Sequence, residues 1–165
     1  MIAFHTAIGC LALLAGLFVF LFNKGARLHK TIGWVYVISM YLLCFTSFFI
    51  FKLFDGFGVF HVMAIVSIVT MTSGFIPVLL RRKLKGWFIG HYKGMLFSYM
   101  GLVMATNSHF FIYLQPKVGF VGASLILWVV PGIIGTVWIN RKTKFYADKF
   151  GDVQGEMKED GVHLA

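Results

Sequence analysis

Apolar residues fill five runs of the chain, at roughly 2–22, 31–54, 59–80, 88–114 and 119–139, with short polar or glycine-containing turns between them. Each run reaches the ~20 residues that a helix needs to cross a hydrocarbon core about 30 Å thick. Inside lipid every backbone amide has to be bonded within the protein, so helices are the expected form. Connections this short make consecutive helices antiparallel neighbours. The expected fold is an all-α membrane protein: a four-helix transmembrane core built from two repeated hairpins, with a fifth transmembrane helix beside it. Residues 1–139 form one transmembrane domain and 140–165 a tail.

Local features refine this outline. Gly9 and Gly16 give the first run small positions for close helix contact. Thr70 to Gly74 followed by Pro77 predicts a local bend in the third. The fifth run carries Pro131, Gly132 and two tryptophans but no histidine, which predicts a peripheral helix. Beyond Asn140 the chain is first basic and aromatic, then polar and acidic, and reads as a short interfacial segment with a frayed end in which His163 has no role. Cys10 and Cys44 lie in apolar runs without a CxxC spacing and read as small core residues.

Composition agrees with the pattern. Hydrophobic residues make up 59% of the chain and charged ones 13%, and the mean hydropathy is +0.83. A water-soluble fold of this length has no interior large enough for so much apolar surface. Lys24, Arg27 and Lys30 stand at the first turn, Arg81, Arg82, Lys83 and Lys85 at the third, and Arg141, Lys142 and Lys144 after the fifth run. The turns at Asp55–Gly58 and Gln115–Lys117 are nearly uncharged by comparison. The positive-inside bias then places the basic turns and the C-terminus in the cytoplasm and the N-terminus outside, in the cell membrane. Topology thus accounts for the net charge of +9, and without a long basic face no nucleic-acid partner is expected. The first run lacks a basic leader and a small-residue cleavage site, so it is expected to remain as a span.

Histidines mark both hairpins at similar places. His5 and His61 open the first and third runs, and His29 and His91 follow the basic turns, at Lys24-Gly25 to His29 and Arg81 to His91. Ionisable groups within spans are costly, face the bundle interior and mark function. In an up-down bundle alternate helices lie diagonally, so His5 is expected to face His61 in an outer layer and His29 to face His91 in an inner one. His109 lies 18 residues after His91, about five turns along the same helix face, and could serve as an outer ligand. The bland alternative is that each histidine forms only an interfacial hydrogen bond.

Opposed neutral imidazoles are the ligand set of a bis-histidine heme b, one or two of them here. Asp55 is the only acidic residue before position 148, so a zinc site would lack its usual carboxylate support. His5, His61 and His109 could still form a three-histidine zinc or copper site. Heme brings its own carboxylates, for which Lys24, Arg27, Lys30 and Lys93 are candidate partners. Gly33, Gly90 and Gly94 would let a flat macrocycle approach the backbone. No phosphate loop, HExxH pair or Ser-His-Asp set can be assembled, and no intramembrane acid supports a proton relay.

The segment His29-Lys-Thr-Ile-Gly33-Trp-Val-Tyr36-Val-Ile-Ser-Met40, the Lys24-Gly25 turn, the basic stretch leading to His91-Tyr-Lys-Gly-Met95 and the first helix opened by His5 resemble the bacterial membrane family known as domain of unknown function 2306. The resemblance covers about residues 3–110 and implies a polytopic membrane protein without implying an activity. The layered histidines also resemble the transmembrane diheme b-type cytochromes, in which His5 and His61 would match the outer pair and His29 and His91 the inner pair. Two functions follow as expectations. The first is a membrane b-type cytochrome that moves electrons to an outer acceptor such as a quinone or a metal ion. The second is a non-redox membrane protein that binds zinc, copper or a small ligand at the outer histidines, or assists assembly of respiratory complexes.

Overall fold

A computed structural model describes residues 1–51 and 56–159, and the expected positions of Asp55 and His163 fall outside them. The described residues form helices and turns with no strand. The helices are α1 (Ile2–Leu21), α2 (Arg27–Ser47), α3 (Val59–Leu79), α4 (Trp87–Asn107), α5 (Phe111–Ser124) and α6 (Val130–Glu159). Among the described residues four helical stretches are long and apolar enough to cross a membrane: Ile2–Leu21, Arg27–Ser47, Phe60–Leu79 and Trp87–Asp148.

The first four helices close into a ring. α1 packs mainly on α2 and α3 on α4, while α2–α3 and α1–α4 contacts complete the circuit. Neighbours run antiparallel, so the diagonal partners α2 and α4 run parallel. Tyr36 on α2 crosses the middle, and its hydroxyl meets Ser98 Oγ on α4 at 2.8 Å with both residues buried. Ala12, Ala15, Met40, Met71 and Leu102 fill the space around this bond. Large apolar side chains such as Phe45, Val69 and Ile134 remain on the outside, which in lipid carries no penalty. Cys44 is buried as expected, but Cys10 is exposed, so it is not a core residue.

Close packing between α3 and α4 rests on two glycines. A methyl group added to Gly74 would stand 2.7 Å from the backbone carbon of Gly94, so the two backbones touch. Without a hydrophobic drive between helices in lipid, such contact is a principal source of association. Gly90 is likewise filled, by the Pro77 ring. Gly90 and Gly94 therefore serve helix packing and leave no room for a macrocycle at their faces.

The last part of the chain departs from expectation. No loop separates the expected runs 88–114 and 119–139. Residues 115–117 are helical, and the break falls at Gly119, where φ is 75° and ψ 171°. Only glycine takes that backbone readily. Ser108 then pairs with Trp128, Met104 with Gly132 and Tyr92 with Tyr146, so the segment beyond Gly119 returns antiparallel along α4. Before Pro131 the coil widens, and Val130 N–H donates to the Leu125 carbonyl five residues back. Proline at 131 cannot supply the regular bond to Leu127, which favours the wider turn. The backbone stays helical through the expected boundary near 139 and on to Glu159, so the frayed end expected from polarity alone does not begin at Gly151. α2 also starts earlier and stops earlier than the 31–54 run, because hydropathy tracked apolar length while the helix gives way to turn bonds at Phe48 to Ile50.

Substituting Gly94→Val should force α3 from α4 and cost up to about 3 kcal/mol, about 6–12 °C in the unfolding midpoint of a chain this size. Gly101→Ala, whose new methyl would find its nearest atom at 3.9 Å, should stay within about 2 °C. Thermal unfolding in detergent compares the two.

Candidate functional site

His29 stands in the first turn of α2 and His91 at the start of the second turn of α4. Each lies seven residues before a partner of the central bond, Tyr36 and Ser98 respectively. Seven residues are nearly two full turns, so in parallel helices the two histidines repeat the Tyr36–Ser98 encounter about 10 Å nearer the basic turns. Both line one cavity of about 190 Å³, within electrostatic reach of each other. The expected inner pair is thus brought together.

Their tautomers follow from their hydrogen bonds. His91 Nδ1 lies 2.9 Å from the Gly74 carbonyl, and His29 Nδ1 lies 3.3 Å from the Val19 carbonyl. A carbonyl only accepts, so Nδ1 carries the proton and donates in both neutral rings. Each Nε2 then keeps a free lone pair. Metal-binding imidazoles are oriented in this way, with the second nitrogen bonded to a backbone carbonyl.

The walls complete the chemistry. Phe20, Trp34, Phe75, Trp87, Phe88 and Tyr92 make the cavity largely aromatic, and Lys24, Lys30 and Arg81 add positive charge at its edge. Arg27 and Lys93, the other expected anion partners, are not among its lining residues, whereas Arg81, which was not among the expected partners, is. Gly33 also lines it, and a methyl added there would meet no atom within 4 Å. Of the three glycines expected to admit a flat ligand, Gly33 alone fits that role.

The opposite end of the bundle differs. His61 is buried, and its Nδ1 accepts the Gly58 N–H at 3.0 Å, capping the start of α3. The proton of the neutral ring therefore sits on Nε2, which is buried without a hydrogen-bond partner among the described residues. Phe51 and Phe57 stack on the ring at 5.2 and 4.9 Å. A protonated, enclosed Nε2 offers no lone pair to a metal. His5 instead bonds Thr46 Oγ1 through Nδ1 at 2.8 Å and lies within electrostatic reach of His109. Among the described residues no three histidine, cysteine or acidic side chains gather as a metal-binding group, so the expected His5, His61 and His109 trio does not assemble. The outer pairing of His5 with His61 has no support either, because the capping bond commits His61 elsewhere.

His61→Ala should remove the cap and two ring stacks, costing about 2 kcal/mol. The expected result in a thermal melt is a midpoint lowered by about 4–8 °C, with ligand binding at the cavity unchanged.

With the geometry in place, comparison with known proteins gives one family. A family model described as a predicted membrane protein, DUF2306, matches residues 2–140. No curated protein and no solved structure matches the chain. Because that match spans most of its length, the chain belongs to the DUF2306 family of predicted membrane proteins.

Proposed function

We propose that this is a b-type cytochrome-like membrane protein that holds a single heme between His29 and His91 and uses it for electron transfer. The observation that carries the reading is the pair of Nε2 lone pairs, each set by an Nδ1–H bond to a backbone carbonyl, across one aromatic cavity. Such a heme supplies a one-electron iron couple. His29 and His91 would hold it through Nε2, the Val19 and Gly74 carbonyls would keep the two rings from turning, and Lys24, Lys30 and Arg81 would balance its carboxylates. The cavity is smaller than the about 300–1,000 Å³ of pockets that bury whole ligands, so a heme held there would be only partly enclosed. A second heme is left out of the proposal because His61 is committed to its cap.

The proposal puts this cavity on the cytoplasmic side of the cell membrane, a reading that the basic turns support through the positive-inside rule. The segment beyond Gly119 is taken as a fifth crossing that returns the C-terminus to that side, leaving the N-terminus outside. A quinone or a metal ion remains the proposed acceptor.

Protein purified with heme supplied during expression should show Soret and alpha bands in a dithionite-reduced minus oxidised spectrum, with about one heme per chain. His29→Ala and His91→Ala should each abolish them, and His61→Ala should leave them in place. Absence of bands in the unsubstituted protein, or bands that survive both inner substitutions, would contradict the proposal.

A further inference from the structure

The unused histidines lie at the end away from the basic turns. α1 and α4 run antiparallel, and Tyr99 packs against Gly16 and donates its hydroxyl to the Leu13 carbonyl at 3.3 Å. Carried eleven residues towards the start of α1 and past the end of α4 into the 3-10 turn Ser108–Phe110, the Gly16–Tyr99 register brings His5 to the level of His109. The two rings are within electrostatic reach.

Each ring is held by its own scaffold. Thr46 gives its hydroxyl proton to the Leu43 carbonyl at 2.9 Å, so its oxygen accepts from His5 Nδ1–H. His5 Nε2 is left with a lone pair on a half-buried ring. His109 is exposed on the 3-10 turn Ser108–Phe110. That turn is pinned by the Trp128 Nε1–H bond to Ser108 Oγ at 3.1 Å and by Phe111 stacked on Trp128 at 5.3 Å.

We infer that His5 and His109 form a solvent-open, two-imidazole site for a divalent transition-metal ion, with water completing its coordination. Oxygen-seeking magnesium and calcium find no carboxylate here among the described residues. A structural zinc site wants four protein ligands. Neutral imidazoles suit copper best in the general affinity order, and two ligands make the ion exchangeable. The site is separate from the cavity and does not depend on heme.

Titrating Cu²⁺ into detergent-purified protein that carries no polyhistidine tag tests the inference by electron paramagnetic resonance. One bound Cu²⁺ should show nitrogen coupling from two imidazoles. His5→Gln and His109→Gln should each weaken binding by about tenfold or more and leave coupling from one imidazole, while His29→Ala changes neither. Affinity unchanged by both outer substitutions, coupling from a single imidazole in the unsubstituted protein, or loss on His29→Ala would overturn it.

Discussion

An imidazole enclosed even in part by a membrane bundle has little water for its N–H, and the organisation of this protein follows from which rings find an acceptor for it. At His91 the answer is the Gly74 carbonyl. That carbonyl is within reach because Gly74 and Gly94 let the α3 and α4 backbones touch. At His29 the Val19 carbonyl of the preceding helix plays the same part. One bond per ring fixes orientation, proton position and the direction of the free lone pair together.

Where the N–H finds no acceptor among the described residues, the chemistry is the opposite. His61 accepts a backbone N–H at Nδ1, so its proton moves to Nε2 and the residue becomes a structural cap enclosed by phenylalanines. His5 donates to a threonine whose own proton is already committed, and keeps its lone pair. Four histidines placed alike in the sequence therefore separate into three with a free Nε2 and one without. Burial alone would have sorted them wrongly, since His61 is the most deeply enclosed.

Much of the architecture was legible in the chain. Apolar run length located the four spanning helices, and short turns made the diagonal pairing of α2 with α4 derivable. The shared seven-residue offset of His29 to Tyr36 and His91 to Ser98 was also present in the sequence, and it fixes the register more firmly than the hairpin repeat that drew attention to these residues. What the sequence could not disclose was proton placement. The cap at His61 depends on the backbone of Gly58, and no side-chain pattern announces it. The continuation of α6 to Glu159 was hidden because polarity was read as disorder, whereas helical hydrogen bonds do not need an apolar face. Arg81 was passed over because distance along the chain from His91 concealed its place at the cavity edge.

The account rests on His29 and His91 facing each other across parallel helices, and intramolecular crosslinking measures that without any bound group. In a protein freed of Cys10 and Cys44, the pair His29→Cys and His91→Cys should be joined within one chain by a short bis-maleimide. The pair His5→Cys and His61→Cys should react much less. Equal yields, or preferential joining of the second pair, would contradict the register on which the site is built.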